Sequence, residues 1–226
     1  MAEKQQVAIV MDYQNVHMTA HDVFRPNFPI HEALIDPVRF AKTVISLKNE
    51  DAQITFERKG LQLPDSELGR VEVYRGLPSP KADPDGYRRN LKQKAAWMKE
   101  AYLCNVDLQV TYRPLKYRYS SSNGHQCIDP QFPPEEKGVD VLCALALTRL
   151  ARSGKYGCVV LASRDTDLVP ALEEAHDSNI RVEAAKWYLK DNPETRGSFK
   201  VEGWKLWTTS MGENEFQTSR DLKQYD

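Results

Sequence analysis

Val7-Ala8-Ile9-Val10-Met11 is five apolar positions without a polar interruption, closed by Asp12. A strand with one wet face alternates polar and apolar residues, so this run predicts a strand buried on both faces. Val71–Arg75, Val106–Tyr112, Cys158–Ala162 and Ile180–Ala185 read as further strands. Helical periods fall between them. Asp36-Pro37 supplies a cap and a first-turn proline, and Phe40, Ala41, Val44, Ile45 and Leu47 then form a stripe. Tyr87 to Tyr102 is a long helical pattern. Val139 to Arg152 places Val139, Leu142, Cys143, Ala146, Leu147 and Leu150 on one face, with Gly154 just beyond. A further helix is predicted from about Asp167 to Ser178. Strands alternating with helices imply an α/β fold: three layers, a mostly parallel sheet with helices on both faces. Gln53–Arg58 and Trp204–Thr208 read as extra edge strands, and Ser120–Pro134 as a loop able to act as a lid. The expected division is a domain over 1–190 and an extension over 191–226 that packs on it or trails from it, with the polar residues after Gly212 unassigned.

In such a sheet, ligands sit beyond the carboxyl ends of the strands, where strand order reverses. Asp12 ends the first strand, and Asp165 and Asp167 follow the fourth. Asp140 lies one residue into the Val139 helix, about 100° around from Val139 and so beside its buried stripe. A first-turn carboxylate is also favoured by the helix dipole alone. Four carboxylates brought together without matching cations repel, an arrangement proteins sustain chiefly around a metal. Oxygen-only ligation points to Mg²⁺ or Mn²⁺ and away from zinc.

Asp12-Tyr-Gln-Asn15, Lys137-Gly-Val-Asp140 and Ser163-Arg-Asp165-Thr-Asp167-Leu168 resemble, in order and spacing, the motifs of NYN-domain nucleases, the LabA-like branch of the PIN-like metal-dependent ribonucleases. The resemblance runs from Val7 to about Trp187. It implies a PIN-like, Rossmann-like three-layer fold. It further implies a catalytic metal cluster of Asp12, Asp140, Asp165 and Asp167, with Asn15, Ser163 and Lys137 as polar support. Two positions depart from the pattern: Arg164 stands where a small residue, usually Gly, is common, and Leu168 where Phe is frequent. The expected activity is Mg²⁺- or Mn²⁺-dependent endoribonuclease cleavage of single-stranded or structured RNA. The alternative is a non-catalytic RNA-binding or regulatory protein that keeps the fold. A two-aspartate phosphatase would want a second acid where Gln14 stands.

Charge changes the picture only locally. The 226 residues carry a net charge of −1, so this is no polycation built to coat nucleic acid. Between Lys81 and Tyr119, however, nine Lys/Arg face four Asp/Glu, leaving that segment at +5 and the remainder at about −6. Arg88, Arg89, Lys92, Arg113, Lys116, Tyr117 and Arg118 interleave cations with aromatic residues, as single-stranded RNA binding requires, and Arg164 is a further candidate phosphate contact. For Arg88 to Lys94 the alternative is a solvated helix face, with Trp97 in the core. His17 and His21 are spaced i,i+4 but lack the glutamate of a zincin helix. Cys104, Cys127, Cys143 and Cys158 form no C-x-x-C pair, and Cys143 and Cys158 read as small buried hydrophobes. The polar Met1–Gln6 and the lack of any stretch of about 20 apolar residues predict no leader and no membrane span. A reducing cytoplasm fits these features, and exposed edge strands make a homodimer a possible partner arrangement.

Overall fold

The computed structural model describes residues 4–122, 125–129 and 131–225. Strand β1 (Gln5–Asp12) is its centre. Val7, Ile9 and Met11 enter one apolar cluster, and Ala8 and Val10 enter the other, all fully buried. The unbroken apolar run is thus the signature of a strand between two packed layers.

From β1 the chain runs through α1 (Tyr13–Phe24), α2 (Pro37–Lys59), β2 (Ser66–Leu77), α3 (Pro84–Leu103) and β3 (Asp107–Pro114). A small antiparallel hairpin, β4 (Tyr119–Ser122) and β5 (His125–Ile128), precedes α4 (Val139–Ala151). There follow β6 (Cys158–Ala162), α5 (Val169–His176), β7 (Arg181–Trp187), β8 (Trp207–Met211) and α6 (Glu213–Ser219). The main sheet has six strands in the order β3-β2-β1-β6-β7-β8, and every pairing is parallel. Helices α1, α2, α3 and α6 cover one face, and α4 and α5 the other. This is a three-layer α/β fold. Strand order reverses between β1 and β6.

The cap predicted at Asp36 forms: its Oδ1 accepts from Val38 N and Arg39 N at 3.0 and 3.2 Å. The expected edge strand at Gln53–Arg58 does not form. Helix α2 runs through it to Gly60, whose φ of 65° supplies a left-handed cap. The alternation of Ile54 and Phe56 misled because both are exposed, and Gln53 bonds Glu57 at 2.9 Å one helical turn on. Helix α3 starts at its Asp83 cap and Pro84, three residues before the predicted Tyr87. The expected strand at Trp204–Thr208 is β8, three residues later and at the sheet edge. The lid expectation for Ser120–Pro134 falls on the hairpin and partly on 123, 124 and 130, which lie outside the described residues. The side chains of His125 and Cys127 do so as well. Among the described residues no helix is long and apolar enough to cross a membrane.

The residues beyond 190 are built into the domain. Beyond β8, helix α6 inserts Phe216, stacked on Phe24 at 4.8 Å with Trp187 edge-on at 5.9 Å. The segment after α6 is tied in by backbone bonds from Asp36 N to Ser219 O and from Asp221 N to Leu34 O, both 2.8 Å. Asp221 Oδ2 then accepts from Trp97 Nε1 (2.8 Å) and Tyr225 OH (2.6 Å). Phe216→Ala removes a fully buried ring from an aromatic cluster and is expected to cost about 3–5 kcal/mol. Urea unfolding checks this, and a loss below about 1 kcal/mol would show that α6 is only loosely attached.

Candidate active site

Asp12 is the last residue of β1 and the cap of α1, where its Oδ1 accepts from Asn15 N at 3.1 Å. Asp12 is only 7% exposed. Because Met11 pairs with Ala162, the loop after β6 begins beside it. Ser163 Oγ donates to Asp12 Oδ2 at 3.5 Å and accepts from Asp165 N at 3.1 Å. Asn15 Oδ1 accepts from Arg164 N at 2.8 Å. Asn15 thereby fastens the turn after β1 to the loop after β6. Asp165 caps a short 3-10 turn by accepting from Asp167 N at 3.0 Å. Asp167 is exposed, and its backbone, not its carboxylate, ties it to this loop. Asp140 is exposed in the first turn of α4, just after Gly138 at φ 77°.

The field of these groups converges. Burial, followed by the charges of Asp165 and Asp140, pushes the Asp12 carboxyl from its ordinary 3.8 up to about 6, against the pull of the Asn15 N–H and Ser163 bonds. Glu136 is a member that the motif reading passed over. Burial and then the Asp12 charge push it up to about 7, opposed by the Gly76 N–H and by Arg75. Its carboxylate accepts from Gly76 N, and the Gln14 amide nitrogen, turned toward it, donates to both oxygens at 3.1 and 2.8 Å. The position where a phosphatase would want an acid therefore holds a donor to Glu136. A Cβ on Gly76 would meet Glu136 Cγ at 2.7 Å and Leu115 Cδ2 at 2.2 Å, so the bare glycine is what lets Glu136 in. Beneath the cluster, burial and then the charges of Asp12, Glu136, Asp140 and Asp165 raise the Cys143 thiol.

Glu72, elsewhere in the sheet, shows the contrast. It is also fully buried, which pushes its carboxyl up, yet bonds from Tyr74 and Arg70 and the Arg149 charge outweigh burial and hold it below its ordinary value. Asp12 and Glu136 have no ion-pair partner among the described residues. The charge of Arg75 acts on Glu136 without pairing with it.

Among the described residues, however, no group of three or more His, Cys, Asp or Glu side chains is arranged to hold a metal directly. Mg²⁺ commonly keeps several waters and takes one or two carboxylates plus substrate phosphate oxygens. The all-oxygen donors Asp12 and Asp165, with Asp140 and Glu136 nearby, fit that mode. They do not form a closed protein cage, and Asp167 stands aside from it.

The expected basic residues divide. The Arg164 guanidinium donates to the Glu194 carbonyl, so it does not fill the acidic pocket. It lies instead near Lys186, whose ammonium is pushed down by burial and then by Arg164. Lys137 pairs with Glu135 at 3.0 Å. Arg118 shares that acid at 3.1 Å and covers the Phe132 ring at 4.7 Å. Tyr117 is half-buried with its hydroxyl accepting from Ser79 N at 2.9 Å, a structural use. Lys116, Arg113, Arg89 and Lys92 are exposed, and Arg88 is paired with Asp85. Arg113 reaches the Lys137 carbonyl at 3.4 Å and so borders the start of α4. Trp97 is fully buried, in keeping with the core alternative. The rings of His17 and His21 bond the carbonyls of Ile30 (2.9 Å) and Phe28 (2.8 Å), fastening α1 to the next loop.

No family model matches this chain, and no curated protein does. A crystal structure of a protein of unknown function from Vibrio parahaemolyticus RIMD 2210633 is similar to it at a TM-score of 0.51 and 16% identity, over 95% of this chain and 97% of that one. The likeness is one of fold.

The Asp12 shift has a consequence for stability. Its folded value lies above its value in the unfolded chain, so the folded state holds the extra proton between about 4 and 6, and stability falls as pH rises through that window. Asp12→Asn keeps an acceptor for the Asn15 N–H and removes the charge. In EDTA it is expected to stabilise by about 2 kcal/mol at pH 8 and by little at pH 4. Equal effects at the two pH values would show that the carboxylate charge is not what costs stability.

Proposed function

We propose that this chain is a Mg²⁺- or Mn²⁺-dependent endoribonuclease acting on single-stranded or loop RNA. The observation that carries the reading is the convergence of Asp12, Asp165, Asp140 and Glu136 at the β1/β6 reversal, where parallel sheets bind ligands, with no ion-pair partner for Asp12 or Glu136 among the described residues. The order of the three motifs, which resembles that of NYN-domain nucleases, supports it independently. Asp12 and Asp165 would hold the ion, with Asp140 next to them. Bound there, the metal would neutralise charge on the phosphate and lower the pKa of a water enough to give the attacking hydroxide.

The remaining work falls to the chain. Hydrolysis adds water to phosphorus, breaks one P–O bond and passes a proton to the leaving oxygen. Glu136, pushed up to about 7, is suited to exchange a proton near neutral pH. Ser163 and Asn15 hold Asp12 and the Asp165 loop in register. Arg113, at the start of α4, and the exposed Lys116 and Arg89 are the cations available to RNA phosphates, while Arg118 and Phe132 offer a cation beside an aromatic face. A cytoplasmic location and a homodimer belong to the same proposal.

The second reading is a non-catalytic RNA-binding module, favoured by the lack of three directly ligating side chains. One experiment separates the two. In Mn²⁺, the wild type is expected to cleave an unstructured RNA. Asp165→Asn is expected to lose at least about 100-fold in rate, the equivalent of a few kcal/mol, while keeping RNA affinity. Full cleavage by Asp165→Asn would refute the metal-site assignment. Salt-sensitive binding without cleavage by the wild type would establish the binding module instead.

A further inference from the structure

At the opposite edge of the sheet, where the strands begin, a cavity of about 240 Å³ opens between α2 and the first residues of β2, β7 and β8. That is smaller than a pocket for a drug-sized ligand, which starts at roughly 300 Å³. Its polar lining is Lys48, Lys59, Arg181, Ser66 and Asp51. Leu61, Leu63 and Trp207 contribute apolar wall.

Two features indicate an occupant. The first is charge. Lys48, only 5% exposed, donates to Glu183 Oε1 at 2.6 Å, and Arg181 pairs with the same oxygen. One buried carboxylate therefore serves two cations, leaving a surplus positive charge at the cavity wall. Lys59 and Asp51 cancel at the rim. Lys48 and Arg181 each keep further N–H groups beyond their bond to Glu183. The second is the Ser66 hydroxyl, which is buried in the same wall without a hydrogen-bond partner. Its backbone is fixed on both sides by Asn49, with Ser66 N donating to Oδ1 at 2.7 Å and Nδ2 donating to Ser66 O at 3.0 Å. The hydroxyl cannot swing away with the chain, and an unpaired buried hydroxyl is costly.

We propose that this cavity binds a small organic anion, a carboxylate or a phosphate monoester. Its negative head meets Lys48, Arg181 and Ser66, and its apolar body lies against Leu61, Leu63 and Trp207. The head neutralises the surplus charge and accepts the hydrogen bond that Ser66 now lacks. The site is separate from the acidic cluster and independent of the nuclease reading.

The test uses the whole chain with three probes of one shape: benzoate, phenyl phosphate and neutral benzyl alcohol. Calorimetry is expected to give saturable binding for at least one anion, with benzyl alcohol at least about tenfold weaker. Whichever anion binds more tightly identifies the head group. In NMR the Trp207 indole N–H should shift on binding, while those of Trp97 and Trp187, bonded to Asp221 and to the Val16 carbonyl, stay in place. Ser66→Ala is expected to leave thermal stability unchanged or slightly raised, because it removes an unpaired hydroxyl, and to weaken the anion at least about threefold. Arg181→Gln should weaken it about tenfold and leaves Lys48 to neutralise Glu183. Equal binding of benzyl alcohol, unchanged affinity in both variants, or no saturation by either anion up to about 10 mM would each overturn the proposal.

Discussion

A carboxylate at the end of a strand buried on both faces has little solvent to share its charge. That is the position of Asp12, and the rest of the site follows from it. The two apolar layers meet on β1, so this strand cannot shift, and its parallel pairing with β2 and β6 fixes what stands beside its last residue. The loop after β6 brings Ser163 and Asp165 to that point. The start of α4 brings Asp140, and the segment before it brings Glu136 through the gap at Gly76. Asn15 closes the arrangement: its N–H donates to Asp12 Oδ1, and its Oδ1 accepts from Arg164 N across the reversal.

The same sheet handles its other buried acids differently. Glu72 has Arg70, Tyr74 and Arg149, and Glu183 has Lys48 and Arg181. Such pairs contribute little net stability, since desolvation consumes most of the attraction, but they leave no local excess of negative charge. Asp12 and Glu136 lack that treatment. The asymmetry marks the carboxyl edge as the place where the fold tolerates an unfavourable charge, which is how functional sites commonly differ from the scaffold around them.

Most of the fold was legible because burial leaves periodic traces. The run Val7–Met11, the cap at Asp36-Pro37 and the stripe from Val139 are each direct readings of packing. Gln53–Arg58 was not legible, since an alternating apolar pair exposed on a long helix mimics a strand. Nor was α6, where a single Phe216 does the anchoring among polar neighbours and no period exists to detect. Of the carboxylates proposed for the site, Asp12, Asp140 and Asp165 were legible from strand ends and motif order. Glu136 was missed because what makes it a member is not its own neighbourhood in the chain but the absent side chain at Gly76, sixty residues away. Arg164 illustrates the reverse limit: its place in the chain made it a candidate phosphate contact, while its guanidinium turns to the Glu194 carbonyl.

The aromatic anchor of α6 and the clamp at Asp221 also order events in time. Residues 207–225 leave the ribosome after everything they pack against, yet they cover Phe24 and Trp187 and complete the hydrogen bonding of Trp97. Until they emerge, the nascent sheet lacks β8 and shows its aromatic side to solvent. The aromatic side of the sheet is therefore completed only once residues 207–225 are in place, so earlier-made parts of the domain depend on later-made ones for their burial.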